Sequence, residues 1–279
     1  MGKKDALRAL QAALSTLRRL TQVLLLGLVA LPVSAADLAV VIDDVGYNVS
    51  RGLRAVTLPA PVTIAVLPFA PHTQFLARQA TQAGKDLIIH QPMEPVPSTH
   101  ARYEIDTLTS AMGIQEFDAT VERALHAIPQ TLGFSNHTGS YLTTQYDPMR
   151  RFMRHLSRRG LFFLDSRTTA ETITDRVADE LGVTLLKRDV FLDHDRSISA
   201  IAKAFQQAIR IARRRGYAVL VAHPYPVSLS FLESALLETP ADINLVGIAS
   251  LVAKRRAAMH QAELVLQSRP SNLRISLGQ

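Results

Sequence analysis

Short apolar runs rich in Val, Ile, Leu and Phe alternate along this chain with longer stretches of helical period. That alternation is typical of βα units built around a parallel sheet. The apolar runs with strand character are 38–42, 62–67, 87–89, 131–134, 161–164, 185–186 with 190–192, 218–221 and 244–248. The helical stretches between them are 75–82, 115–128, 148–158, 172–181, 198–214 and 228–237. No repeat or linker divides them, so the sequence predicts one parallel α/β domain of about seven or eight βα units.

The net charge of the chain, +7, lies at its two ends. Five of the 31 basic residues and one of the 24 acidic residues precede position 36, and five more basic residues and one acidic residue follow position 253. Subtracting both ends leaves 21 basic and 22 acidic residues in 36–253, a net charge of −1. Because nucleic-acid-binding domains need a basic surface, we expect no nucleic-acid partner.

Residues 1–35 have the pattern of an export signal. A basic stretch ends at Arg18 and Arg19, an apolar run covers 23–33, and the small residues Ser34 and Ala35 follow. The run is shorter than the ~20 residues that span a bilayer comfortably, which favours a cleaved signal peptide over a retained signal anchor. In both cases we expect an exported protein, in the periplasm or elsewhere in the cell envelope, whose membrane contact is limited to this segment.

The predicted organisation has three parts: a signal peptide or signal anchor at 1–35, a folded domain at 36–253, and a basic C-terminal tail at 254–279. The tail is predicted to be solvated, with a helix over about 253–266.

Several common catalytic motifs are absent from the sequence. The chain contains no cysteine, which excludes thiol nucleophiles and Cys-ligated metals. It also lacks the G-x-S-x-G, G-x-x-x-x-G-K-[ST] and G-x-G-x-x-G motifs. Serine hydrolases, P-loop proteins and dinucleotide-binding enzymes are therefore disfavoured.

Ionisable or amide side chains follow most of the predicted strands. They are Asp43 with Asp44, His90, Asn136 with His137, Asp165 with Arg167, Asp193, and His223. In parallel α/β folds the carboxyl ends of the strands converge at one rim, where catalytic groups gather. A single acidic residue after a strand is commonly a helix cap, but repetition on successive strands favours a functional site.

The adjacent carboxylates of Asp43 and Asp44 repel each other unless a cation lies nearby or one of them is protonated. A divalent metal would suit one carboxylate and leave the second free as a base. The alternative is an Asp pair that caps the turn near Gly46.

His90 and His137 are candidate zinc ligands, because hydrolytic metal sites combine imidazoles and carboxylates and keep a position open for water. Neither histidine lies in a short ligand motif, so the alternative is a hydrogen-bonded rim or core residue. Glu94, four residues after His90, could reach the same point. His223 is a candidate general acid.

Arg167 has two interpretations. With a carboxylate from a neighbouring strand end, such as Asp165, Asp189 or Asp193, it could form a structural ion pair that orients the groups beside it. Alternatively, these residues contact the substrate directly.

Six segments, in order along residues 38–252, resemble the divergent polysaccharide deacetylases, an exported bacterial branch related to the NodB-type carbohydrate esterases. The segments are AVVIDDVG at 39–46, HQPMEP at 90–95, GFSNHTGS at 133–140, FLDSRT at 163–168, RDVFLD at 188–193 and AHP at 222–224. The resemblance implies a distorted seven-stranded (β/α) barrel of NodB-like type.

The resemblance also implies roles for single residues: Asp43 as catalytic base, Asp44 as metal ligand and His223 as general acid. His90 matches the first histidine of the H-[ST]-x-x-H motif, and Glu94 stands in place of the second. The family's R-x-P-[FY] motif is replaced by 135–140, so His137 is expected to supply the missing imidazole. The implied cofactor is a divalent metal, with zinc expected.

The activity that the resemblance implies is metal-dependent hydrolysis, in which acetyl groups are removed from an N-acetylated or O-acetylated envelope polysaccharide such as a peptidoglycan-type glycan. The departures from the family motifs keep an alternative open: a catalytically inactive barrel that binds glycan or has a regulatory role in the envelope. The candidate accessory residues are Glu94, Asn136, Asp165, Arg167 and Asp193.

Overall fold

The computed structural model describes residues 35–97 and 103–267, where strands and helices alternate as predicted. The strands are β1 (Ala36–Val45), β2 (Thr63–Val66), β3 (Asp86–Met93), β4 (Gly133–Thr138), β5 (Phe162–Asp165), β6 (Leu185–Lys187), β7 (Val190–Phe191), β8 (Tyr217–Ala222) and β9 (Ile243–Val246). The helices are α1 (Val49–Val56), α2 (Thr73–Gln82), α3 (Ile114–Ala127), α4 (Tyr146–Arg159), α5 (Thr174–Leu181), α6 (Ile198–Arg215), α7 (Pro226–Ala235) and α8 (Ile248–Gln267), with a 3-10 turn at Leu142–Thr144. The predicted export signal lies outside the described residues, apart from Ala35.

All the strands pair in parallel in one sheet, in the order β6-β5-β4-β3-β2-β1-β8-β7. Strand β9 pairs with the first residues of β1, on the same edge that β2 occupies further along. The two ends of this order, β6 and β7, do not pair, although only Arg188 and Asp189 separate them in the sequence. The sheet is therefore a curled, incompletely closed (β/α) barrel. The predicted distorted barrel is confirmed, with more strands than the expected seven, because β6 and β7 are separate and β9 is added.

Both faces of the sheet are buried, as expected for parallel strands covered by helices. Residues Leu38, Val40 and Ile42 of β1 pack in the layer between the sheet and the outer helices. Residues Ala39 and Val41, with their neighbours on other strands, form a smaller core inside the barrel. The first turns of α8 close that inner core with Ile248, Leu251 and Val252.

Helix α8 continues without a break through position 254, where the basic tail was predicted to begin. Lys254 forms an ion pair with the buried Asp37 of β1, and Arg256 donates hydrogen bonds to Thr184 Oγ1 at 3.1 Å and to the Gly160 carbonyl at 2.6 Å. Two of the basic residues assigned to a solvated tail thus contact the barrel. The predicted helix itself is present, and residues 268–279 lie outside the described part of the chain. None of the helices in the described ranges has the length and apolar character needed to cross a membrane.

Candidate active site

The end of β1 is irregular in a way that brings two carboxylates to one place. Its register with β2 shifts between Ile42 and Val45, and Asp44 adopts a left-handed backbone with φ of 57°. In a regular strand successive side chains point to opposite faces. Here both carboxylates approach the same imidazole, because His90 Nε2 lies 3.7 Å from Asp43 Oδ2 and 3.2 Å from Asp44 Oδ1.

Asp44, His90 and His137 form the candidate metal site. Asp44 Oδ1 lies 2.8 Å from His137 Nδ1, and one ligand atom from each of the three residues lies within 4.8 Å of the other two. The rings of His90 and His137 meet edge to face, with centroids 5.1 Å apart. Two imidazoles and one carboxylate are a ligand set that zinc accepts in hydrolytic sites with an open position. These three residues come from β1, β3 and β4, as the sequence predicted.

The hydrogen bond made by the second ring nitrogen of His90 supports this assignment. His90 Nδ1 lies 2.7 Å from Ser135 Oγ, and both residues are buried. A proton on Nδ1 in that bond leaves a lone pair on Nε2, facing the two carboxylates. His90 Nε2, Asp43 Oδ2 and Asp44 Oδ1 are then three electron-rich atoms that face one another, and they require a proton or a cation between them. The residues present therefore fit a bound divalent metal.

Asp43 is a buried carboxylate with one unsatisfied oxygen. The residue is 1% exposed, and its Oδ1 has no hydrogen-bond partner among the described residues. Burial raises the pKa of the Asp43 carboxyl, although nearby His90 opposes the shift. A buried polar atom without a partner is costly unless something else satisfies it. Asp43 therefore keeps an acceptor oxygen that no group of the described residues satisfies.

Asp44 and His137 stabilise each other's charged forms. Burial disfavours the Asp44 carboxylate, but the hydrogen bond with His137 and the close approach of His90 outweigh it and hold the pKa of that carboxyl well below its usual range. Burial likewise opposes protonation of His137, yet the bond to Asp44 raises the pKa of the imidazole. A bound cation would take over the role of the proton that these two residues share in its absence.

His223 is held by a carboxylate at the end of the short β7. Its Nδ1 lies 2.8 Å from Asp193 Oδ1, and its backbone N–H donates to Asp193 Oδ2 at 2.8 Å. Ser228 Oγ also donates to Oδ2, at 2.7 Å. Burial would lower the pKa of His223, but Asp193 and Asp44 raise it to about 9. The free Nε2 lies 3.8 Å from Asp44 Oδ2, so the protonated nitrogen points into the site.

The remaining predicted residues have structural contacts. Asn136 joins two strand ends, since its Oδ1 accepts from Ser166 N at 2.8 Å and its Nδ2 donates to the Thr138 carbonyl at 2.7 Å. Asp165 accepts from the backbone N–H of Arg167 and from two threonine hydroxyls. The Arg167 side chain is exposed and forms no ion pair with any carboxylate of the described residues. The proposed ion pair between Arg167 and a neighbouring strand end is therefore not formed.

Glu94 does not join the metal-ligand cluster. Its Oε2 accepts from the backbone N–H of Ser110 at 2.6 Å, and its own backbone is bonded to Leu108, Tyr141 and Leu142. Through its backbone carbonyl, Glu94 links the loop after β3 to the loop after β4. The second imidazole of the site comes from His137.

The sequence did not predict three side chains that contact the site residues at the rim of the barrel. Ser135 orients His90, and Ser228 supports Asp193. Arg188 donates to the carbonyls of Ser166 and Arg167 and lies 3.7 Å above the Phe191 ring, which in turn stacks on His223. Ser135 and Arg188 lie within segments used for the family resemblance, but no sequence signal identifies their partners.

The sequence profile described as divergent polysaccharide deacetylase matches residues 40–252. This chain belongs to the divergent polysaccharide deacetylase family. The family membership predicted from the six segments is thereby confirmed.

Two similar proteins come from bacteria. The chain is 36% identical over 221 residues to the uncharacterized protein YibQ of Escherichia coli K12. The matched region is 79% of this chain and 69% of YibQ. It is 34% identical over 216 residues to an uncharacterized protein of Haemophilus influenzae Rd, covering 77% and 76% of the two chains. Among solved structures, the uncharacterized protein ATU2773 from Agrobacterium tumefaciens C58 has a TM-score of 0.75 at 24% identity, covering 78% of this chain and 89% of that one. This last similarity shows the shared fold.

Proposed function

We propose that this protein is a metal-dependent hydrolase that removes acetyl groups from an N-acetylated or O-acetylated glycan of the cell envelope. The observation that carries the proposal is the convergence of Asp44, His90 and His137 beside a buried, unsatisfied Asp43 and beside His223, whose Nε2 lies 3.8 Å from Asp44 Oδ2. Membership of the divergent polysaccharide deacetylase family supports the choice of reaction.

Asp44, His90 and His137 would hold the metal, for which zinc suits the ligand set. When bound, the cation supplies a Lewis acid that polarises the acyl carbonyl and makes water more acidic. Ser135 Oγ, 2.7 Å from His90 Nδ1, orients the ring so that Nε2 faces the site, where its lone pair would bind the metal.

Asp43 and His223 would move the protons. Asp43 takes a proton from the attacking water as the new C–O bond forms at the acyl carbon, and its pKa, raised by burial, makes it a stronger base. His223 then gives the proton on Nε2 to the leaving nitrogen or oxygen as the C–N or C–O bond breaks. The products are acetate and a free amine or hydroxyl.

We also propose that this reaction takes place outside the cytoplasm, because residues 1–35 have the pattern of an export signal. The substrate would then be an acetylated polysaccharide or a peptidoglycan-type glycan. The nearly neutral charge of 36–253 speaks against a nucleic-acid substrate.

Metal analysis of the purified protein, combined with an assay for acetate release from acetylated wall polymers, tests the proposal. We expect about one divalent ion per wild-type chain and its loss in Asp44→Ala and His90→Ala, with acetate release lost in parallel. A wild type without metal, or variants with unchanged turnover, would contradict it.

The alternative of an inactive glycan-binding or regulatory barrel gives a different result. It predicts that glycan strands bind equally well to Asp43→Asn and to the wild type, with no acetate released by either protein. Two observations favour the hydrolase: His90 and His137 together supply two imidazoles to the cluster, and one oxygen of Asp43 is unsatisfied.

A further inference from the structure

A small pocket adjoins the metal-ligand cluster, between the loop that links β1 to α1 and the loop that links β8 to α7. Its volume is about 140 Å³, and Asp44 and His223 of the candidate site are among its lining residues. Two aromatic residues, Tyr47 and Tyr225, and the basic residue Arg51 also line it. We call it the Arg51 pocket. It is smaller than the roughly 300–1,000 Å³ of sites that enclose a whole small molecule, so it fits one substituent of a larger ligand.

Arg51 is a cation without a counter-ion among the described residues. Within the described ranges 35–97 and 103–267, its exposed side chain makes neither an ion pair nor a hydrogen bond. Its backbone is fixed, since Arg51 N donates to the N-cap side chain of Asn48 at 2.9 Å. By contrast Arg54, one turn further along α1, is bound by Glu233 and Ser230. The backbone of Arg51 is thus fixed at an ordered helix start beside the pocket, while its guanidinium has no partner among the described residues.

A second cation lies beside the pocket, because Arg196 is 5.0 Å from the centre of the Tyr225 ring. The Asp44 carboxylate, which also lines the pocket, already lies 2.8 Å from His137 Nδ1 and 3.2 Å from His90 Nε2. The Tyr47 hydroxyl is also engaged, because it donates to Glu104, which leaves the half-exposed ring as a surface for a sugar.

We propose that the Arg51 pocket binds a carboxylate carried by the glycan, so that the substrate is an acidic glycan rather than a neutral one. This inference rests on the proposed function in taking a glycan as the ligand. A guanidinium offers a planar pair of donors that matches a carboxylate, and such charge-assisted bonds are about twice as strong as neutral ones. The carboxylate could belong to a uronic acid or to an acidic ether on an amino sugar, since both present the same group.

Pairs of oligosaccharides that differ only in the charge of one carboxyl group test the inference. The probes are acetylated tetrasaccharides that contain a uronic acid, or an amino sugar with a lactyl ether, each compared with its own methyl ester. Binding to metal-loaded protein is measured calorimetrically at low salt, and acetate release is followed in parallel. The variants are Arg51→Gln, Arg51→Lys and the control Arg78→Gln, which removes an exposed charge on α2 away from the pocket.

We expect the wild type to bind at least one acid about tenfold or more tightly than its ester, and whichever acid shows the preference identifies the source of the carboxylate. The ratio of the affinity for the acid to the affinity for its ester should fall to about one in Arg51→Gln. It should persist in part in Arg51→Lys and be unchanged in Arg78→Gln. Equal affinity of the wild type for acid and ester, binding of neither, or a preference that survives Arg51→Gln would overturn the inference. Acetate release without a preference for the acid would contradict only the role of the Arg51 pocket and leave the proposed hydrolase activity standing. Binding that depends on the carboxylate, without acetate release, would contradict only the proposed hydrolase activity.

Discussion

His223, which is partly exposed, is bound by the buried Asp193, and both carboxylate oxygens of Asp193 are used. Oδ1 of Asp193 lies 2.8 Å from His223 Nδ1, while Oδ2 accepts from the His223 backbone and from Ser228. The carboxylate fixes the ring orientation and raises the pKa of the imidazole.

Asp193→Asn is expected to lower the pKa of His223 from about 9 toward its ordinary value, because a neutral amide cannot offset the imidazolium charge. The imidazole would then lose its proton at a lower pH, and acetate release would fall by about 10²-fold. NMR titration of the His223 ring measures the shift. Ser228→Ala, which keeps the charge, should move the pKa much less; an unchanged His223 pKa in Asp193→Asn would contradict this role.

His137→Ala is expected to lower zinc affinity by at least about 10²-fold, because a three-residue ligand set loses one member. Glu94→Gln should bind zinc as the wild type does, since the Glu94 carboxylate contacts Ser110 instead. Competition with a chromophoric chelator measures both affinities. The opposite order, with Glu94→Gln the more damaging, would show that Glu94 is the ligand.

Asp165→Asn is expected to destabilise the protein by about 2–3 kcal/mol without changing its metal content. The fully buried carboxylate accepts from Arg167 N, Thr172 Oγ1 and Thr174 Oγ1, and an amide would set an N–H group against one of these donors. Urea denaturation gives the free energy of unfolding. The exposed Asp175→Asn, on α5, is the control and should change it by less than about 1 kcal/mol.

Lys254→Ala is expected to lower the free energy of unfolding by about 1–2 kcal/mol, because, among the described residues, it leaves the buried Asp37 with only the Asn244 amide as a side-chain partner. The neighbouring Arg255→Ala removes an equal charge from an exposed position and should cost less than about 0.5 kcal/mol. Equal effects in thermal or urea unfolding would mean that 254–256 behaves as the solvated tail that the sequence predicted.

The rim residues were predictable because strand ends are visible in the sequence. Apolar runs end at Asp43, His90, His137 and His223, and a parallel sheet must bring those ends together. The irregular end of β1 was not predictable, since a left-handed Asp44 depends on the packing around it.

Two other features depended on contacts that the sequence does not show. Helix α1 was not predicted, because Gly52 lies in its middle and glycine disfavours helices. In the fold, a Cβ on Gly52 would lie 2.5 Å from Leu76 Cδ1, so the glycine permits close packing of α1 on α2. The choice between Glu94 and His137 also needed the structure, because only the bond to Ser110 shows that the Glu94 carboxylate is occupied elsewhere.

Titration of the metal-free protein with zinc, while acetate release from an N-acetylated oligosaccharide is followed, tests the central claim most directly. We predict no release without metal, a linear rise to about one equivalent of zinc per chain, and a flat response in His137→Ala. Release that does not depend on metal, or one bound equivalent of zinc in the wild type with no acetate released, would contradict it.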